Sequence, residues 1–485
     1  MRGVEIARRA APAAPLAEWA ALSWRRAVAA GGGLLALVLG SLALGVAAAL
    51  QPVPVLAGIA AALVVAWTLA RPVRGAYLYA LLVPLIVGMS RGLVVPVLRP
   101  NELLILALLG LVILRGTLGP ADGRVRLGPF TAVDRAFGLL FVFGALVPLA
   151  VMLYRSGVPS AEDTFQLLSL LKYYLTYRLL LAVVPDEKAA LRVAGVMLAA
   201  SAVVASIGLL QLERLFGLHE WLATYYSAGQ VREALEFRRA TSTLGVWQAL
   251  GAYLGVHAAL AAALLLAPAT PRRWRPWLVL ILGLDIVGAL ATVSLTAVLA
   301  LGLGLGLVAV MARRVGRLVV LASPVILLTF LLLAPALEER LTYQFASYGA
   351  SGTLPVTWEY RWSNLVTVFW PAVQDHLLFG VAPSVSPELA WRFPENQAMY
   401  LLYQGGLLYV GAYFLFMGVV LRTTWRFLRR LDGPALAVGR AALIAWLLIL
   451  VLGLFDPHLT MAGEADAAWA LLALATGAAA HAGRE

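Results

Sequence analysis

Long apolar runs broken by short polar segments set the pattern of this chain. They lie near 27–50, 54–70, 75–90, 101–115, 136–154, 165–184, 190–211, 241–267, 276–292, 293–311, 317–335, 397–421, 437–455 and 462–480. Membrane β-barrels show alternating strands of about ten residues, which these runs do not resemble. Most come close to the roughly 20 residues that a helix needs to cross a bilayer. Backbone groups in lipid must be satisfied within the segment, which favours helices. The pattern therefore predicts an all-α polytopic membrane protein with about 12–14 transmembrane helices. Runs 276–292 and 293–311 read either as one broken helix or as a tight hairpin near Thr292–Ser294. Runs 75–90 and 101–115 are short enough to be tilted or interfacial. Two breaks are long, 212–240 and 335–396, and the second precedes the helix near 397–421.

Composition supports this reading. Of the 485 residues, 62% are hydrophobic and 13% charged, against about 45–50% and about 25% in soluble domains. The absence of cysteine excludes disulfides, thiolate catalysis and zinc–thiolate sites. The net charge of +12 is spread over short loops rather than clustered on one face, so nucleic acid is not an expected partner. Loop charge then gives an orientation. Alternate loops on the side of the two termini carry 25 Arg and Lys against 8 Asp and Glu, and those on the other side 10 against 16. Positive loops face the cytoplasm, so both termini are expected there and the loops 212–240 and 335–396 outside. Four regions follow: a cytoplasmic amphipathic N-terminus (1–26), N-terminal transmembrane helices (27–211), a region holding both long outer loops (212–425), and C-terminal transmembrane helices (426–485). The run from Val28 is long enough to span and reads as a retained helix rather than a cleaved signal.

Arginines on the acid-rich side are not explained by topology. In "ALEFRRATSTLGVWQALGAYL", Arg238 and Arg239 precede Thr241, Ser242 and Thr243. Paired guanidiniums and hydroxyls at a membrane surface suit a phosphate; snorkelling to headgroups is the competing reading. In "TWEYRWSNLVTVFWPAVQDHLLFGVAPSV", Arg361 lies between Tyr360 and Trp362, and large apolar residues recur at helical spacing from 358 to 372. These aromatics suit either an interfacial belt or stacking on sugar rings. Glu395 follows Pro394 at the start of a spanning helix, where the helix dipole stabilises a carboxylate and keeps it ionised for use as a base. Lys172 and Asp285 fall inside apolar runs; each reads either as functional or as satisfied within the bundle. The five histidines show no metal-ligand spacing, and no metal site is expected.

Four stretches, in order over roughly 200–425, resemble motifs of the O-antigen ligase and polymerase superfamily: "RRATSTLGVWQALGAYL", "ATVSLTAVLALGLGL", "YRWSNLVTVFWPAVQDHLLFGVAPSV" and "ENQAMYLLYQGGLLYVGAYFLF". Where the ligases carry a histidine before the helix asparagine, this chain has Glu395; the acid–Asn pair is more polymerase-like. The arginine of the second motif is replaced by Leu295. The resemblance implies a metal-independent inverting glycosyltransferase of the membrane GT-C type, without cofactor, in a bacterial inner membrane. The donor would be an undecaprenyl-diphosphate-linked oligosaccharide and the acceptor a glycan or lipid-linked glycan. Arg239 and Arg361, with Arg238, would stabilise the diphosphate, and Glu395 would be the base. Asn396 and Gln397 would position it, and with Thr241 and Trp362 would bind substrate. A transporter or flippase of lipid-linked glycans is the alternative, with Lys172 and Asp285 on its path; a non-catalytic scaffold is a third reading.

Overall fold

The computed structural model describes residues 52–95, 98–118, 130–156, 158–226, 228–345, 355–386, 389 and 394–482. The expected amphipathic segment 1–26 and the run 27–50 lie outside the described residues. The chain divides into two compact units, Met1–Ala70 and Arg71–Glu485. In the first, helix α1 spans Pro52–Ala70.

The second unit begins with α2 (Val73–Ile86) and α3 (Pro100–Leu118). Helix α4 (Ala132–Phe141) continues through a π-turn at Val142–Leu146 into α5 (Val147–Ser156). Next come α6 (Ala161–Val183), α7 (Glu187–Leu212), α8 (Leu218–Tyr225), α9 (Ala228–Glu236) and α10 (Trp247–Leu266). Helices α11 (Arg275–Leu290) and α12 (Leu295–Ala312) are separate, so the tight-hairpin reading near Thr292–Ser294 is the one the fold adopts. They are followed by α13 (Val315–Leu332), α14 (Ala334–Phe345), α15 (Val356–Asn364) and the short α16 (Trp370–Val373). Helices α17 (Gln397–Phe427), α18 (Gly433–Leu452) and α19 (Glu464–Ala482) complete the unit. Among the described residues, eight helices are long and apolar enough to cross a bilayer, counting Ala132–Arg155 as one. The protein is an all-helical, multi-pass membrane protein. The 12–14 expected also count run 27–50, outside the described residues, and runs that make shorter or more polar helices: α2 has 14 residues and α6 carries Glu162, Asp163, Lys172 and Arg178.

Helix α10 is the axis of the bundle. Its membrane-spanning stretch is wholly buried, and it packs against α7, α11, α12, α18 and α19. Small residues permit this. A Cβ on Gly251 would stand 2.4 Å from Ala297 Cβ, and one on Gly255 2.8 Å from Ala300 Cβ. Close backbone approach of this kind drives helix association where lipid removes the hydrophobic incentive. A second knot is aromatic. The Trp469 ring of α19 meets Phe137 of α4, Tyr177 of α6, Phe416 of α17 and Trp446 of α18 at centroid distances of 5.2–6.0 Å, contacts of about 0.5–1.5 kcal/mol each beyond burial.

The described parts of the two long breaks between spans are helical or tightly bonded. The first holds α8 and α9. The second holds α14 and then a continuous helical stretch, α15, a π-turn at Leu365–Phe369 and α16, where the aromatic spacing at 358–372 predicts one. The turn-rich "LLFGVAPSV" then docks into a break in α17. At Gly406 the backbone takes φ 69°, ψ −165°, open only to glycine without strain. There Leu407 N donates to Leu377 O and Val381 N to Tyr403 O, both at 2.7 Å. The Gln404 amide donates to Pro383 O at 2.7 Å, and Arg155 to Gly380 O at 2.8 Å. Ser384 bonds Asp163, which with Ser160 forms the capping box of α6. These bonds fix the acid-rich end of the bundle.

Candidate functional site

At that end, α15 delivers Arg361 to two carboxylates. Its Nε donates to Glu395 Oε2 at 2.8 Å and its Nη2 to Asp456 Oδ2 at 3.4 Å. Glu395 comes from the approach to α17, and Asp456 from the connection between α18 and α19. The expectation that Glu395 opens the helix shifts by two residues. Asn396 is the N-cap, its Oδ1 accepting from Met399 N at 3.0 Å, and Gln397 is the first helical residue. Trp391, Arg392 and Phe393 lie outside the described residues.

The chain on either side of the cluster is stitched together by polar contacts. Asn396 Nδ2 donates to Leu454 O at 3.0 Å, Gln397 N to Gly453 O at 2.7 Å, and Leu459 N to Gln397 Oε1 at 2.8 Å. Phe455 packs edge-on to Trp358 of α15. Asn396 and Gln397 thus tie the start of α17 to the 453–459 segment, which carries Asp456. Gln397 is 2% exposed, so its support is internal. Trp362 is 66% exposed and presents its ring outward. Behind Asp456, fully buried His458 and Glu464 pair through Nδ1 and Oε2.

Burial sets the electrostatics. It pushes the Asp456 carboxyl up to about 6, against the pull of Arg361 and His458. Burial works against a charged His458, yet the Glu464 carboxylate beside it outweighs this and raises its pKa. Glu395 is the more accessible acid, with 16% of its side chain exposed against 3% for Asp456.

Arg239 reaches the same region from the turn before α10. It is 7% exposed, and its Nε has no hydrogen-bond partner among the described residues. Its guanidinium lies 4.8 Å from the Trp247 ring centroid and 5.6 Å from that of Phe237. Burial, with the charge of Arg340 added, lowers its pKa to about 10. Arg340 of α14 is in turn disfavoured by burial and by Arg361. Arg239, Arg340 and Arg361 therefore form a run of guanidiniums close enough to repel. With the Gln344 amide oriented to suit both neighbours, its oxygen accepts from both terminal nitrogens of Arg340 at 3.0 and 2.9 Å, and its nitrogen donates to Thr357 Oγ1 at 2.7 Å. That bridge ties α14 to α15.

Other expected positions fall differently. Arg238 is exposed, with φ 49°. Thr241 is fully buried, and Gln211 of α7 binds both its hydroxyl (2.8 Å) and its backbone N–H (3.0 Å), together with Ser242 N (2.8 Å). Thr241 therefore holds the turn that carries Arg239 and does not present its hydroxyl to a ligand. Lys172 pairs with Asp466 at 3.6 Å, and Asp466 also accepts from Gly463 N at 3.0 Å. Asp285 accepts from Ser201 at 3.2 Å. Both intramembrane charges thus have bundle partners.

No family model matches the chain, and no curated protein matches it. The sequence reading singled out Arg361, Glu395 and Arg239. It passed over Arg340, Asp456 and Glu464; Asp456 in "LFDPHL" carries the look of an ordinary turn acid, and its partner Arg361 lies far back in the chain.

Proposed function

We propose that the protein is a membrane glycosyltransferase that transfers or polymerises a glycan carried on a polyprenyl diphosphate, undecaprenyl diphosphate in the bacterial case, at the outer leaflet. The observation that carries this reading is an ionisable base, Glu395, held by one end of a guanidinium run, Arg361–Arg340–Arg239, at the acid-rich end of a membrane bundle. Transfer from a lipid diphosphate asks for those two things together. As the bond from the anomeric carbon to the diphosphate oxygen breaks, negative charge grows on the leaving group, and fixed cations stabilise it. As the acceptor oxygen bonds to that carbon from the opposite face, its proton must leave, and Glu395 takes it. Inversion follows. Arg239, buried and without a carboxylate partner among the described residues, is the cation most available to phosphate. Arg361 holds Glu395 until substrate enters. Trp362 and exposed Arg238 would meet sugar or headgroup at the rim. The transporter alternative rested on Lys172 and Asp285 lining a polar path, and their internal bonds give it no support.

The test is transfer by purified protein in liposomes supplied with a polyprenyl-diphosphate-linked oligosaccharide and a glycan acceptor. Glu395→Gln should lose at least about a hundredfold in rate, the scale of general-base catalysis, while keeping the wild-type elution profile and melting temperature. Full activity in that variant rejects Glu395 as base. Absence of transfer by the wild-type chain on a panel of lipid-linked donors rejects the enzyme reading. Deletion in the native cell then separates polymerase from ligase: single repeat units left on the target mark a polymerase, polymer stranded on the carrier a ligase.

A further inference from the structure

At the arginine-rich end of the bundle, opposite the candidate site in the alternating order of loops, a groove of about 530 Å³ opens between three elements. It is lined by Tyr77 of α2, by Arg192, Gly195, Val196 and Ala199 of α7, and by Trp274 just before α11. Its volume lies within the range of small-ligand sites. Arg192, Gly195 and Ala199 stand at helical spacing on one stripe of α7, so a cation at the helix end is followed inward by a floor of small residues. Arg192 is exposed and makes no hydrogen bond or ion pair among the described residues. Tyr77 and Trp274 wall the slot with rings of the types that settle at the headgroup level of membranes.

The charge around the mouth has one dominant sign. Lys188 lies one turn before Arg192 on α7, and Arg272, Arg273 and Arg275 flank Trp274. The acids nearby in sequence are Asp186 and Glu187, and Asp186 is committed as the N-cap of α7. We propose that this groove binds one anionic phospholipid, its phosphate on Arg192 between Tyr77 and Trp274 and the start of an acyl chain along Gly195 and Ala199. Basic pockets between spanning helices recognise anionic headgroups in this way. The apolar floor separates this ligand from a free phosphate ion, which would gain nothing from it.

Native mass spectrometry of the detergent-purified full chain tests the site. Titration with phosphatidylglycerol should show one retained lipid, and phosphatidylcholine under the same conditions much less. Arg192→Gln should weaken retention about tenfold, the loss of one charge-assisted contact. Ala199→Leu, which keeps every charge but fills the floor at an exposed position, should also weaken it, while excess inorganic phosphate should not displace the lipid. Equal retention of the two lipids overturns the proposal. So does wild-type retention by either variant, or displacement by inorganic phosphate. None of these readouts depends on glycosyl transfer.

Discussion

Arg361 stands between a reachable carboxylate and a buried one, and the buried one makes the cluster sensitive to pH. Asp456 has its pKa pushed to about 6 from 3.8. Between these values the folded chain binds more protons than the unfolded chain, so stability falls as pH rises from about 4 to about 6. His458, also raised, contributes stability that is full below the unfolded value near 6.5 and is lost as pH rises through its folded value. Thermal unfolding in detergent from pH 4 to 8 should therefore show two falling limbs. Asp456→Asn, neutral throughout, should remove the lower limb and keep the upper; an unchanged lower limb would mean that another group titrates there. Arg239 offers a second residue-scale test. Gln211→Leu leaves the buried N–H groups of Thr241 and Ser242 without their acceptor, at about 1–3 kcal/mol for each. The variant should melt lower and lose transfer with Glu395 and Arg361 intact, and Gln211→Glu, which restores an acceptor, should recover part of the melting temperature. Glu395 and Arg361 stood out in the sequence because charged residues at the mouth of an apolar run are conspicuous. Arg340 did not, because "EERLTYQF" looks like any solvated helix face until Gln344 and Arg361 are seen beside it.

Helices were legible wherever an apolar run was long, because burial in lipid leaves the backbone no alternative to internal hydrogen bonds. The hairpin between α11 and α12 was ambiguous because both helices are apolar to their ends. The turn is made instead by Val293, with φ 47°, a conformation that no local pattern announces for a β-branched residue. Helix-to-helix distance was equally hidden in "GAYLGVHAAL", where two glycines in an apolar run gave no hint of their partners. That crossing can be tested directly. Gly255→Ala must push Ala300 away from a 2.8 Å approach, and overpacking of this kind costs about 1–3 kcal/mol. Gly302→Ala, on α12 with nothing within 4 Å of its added Cβ, should be neutral or stabilising by up to about 1 kcal/mol through helix propensity. Melting temperatures of the two variants in one detergent should move in opposite directions, or the first alone should fall; equal shifts would deny the close packing of α10 on α12.

On the scale of the whole molecule, the proposed chemistry depends on which face of the membrane holds Arg361 and Glu395. The loop charges argue that it is the outer face, since 25 of the basic residues lie on the side of the termini and positive loops stay in the cytoplasm. A lipid-linked glycan donor presented at the outer leaflet would be reachable only in that orientation. The chain has no cysteine, so single introduced thiols report without background. Trp362→Cys and Phe216→Cys, at positions 66% and 90% exposed, should react with a membrane-impermeant maleimide on intact spheroplasts. Arg273→Cys and Arg430→Cys, exposed at the arginine-rich end, should react only after the membrane is opened. The reverse pattern would turn the guanidinium run and Glu395 toward the cytoplasm, remove them from an outer-leaflet donor, and leave the anionic-lipid groove as the face turned outward. Labelling of both sets from one side would break the alternation of loops on which the orientation rests.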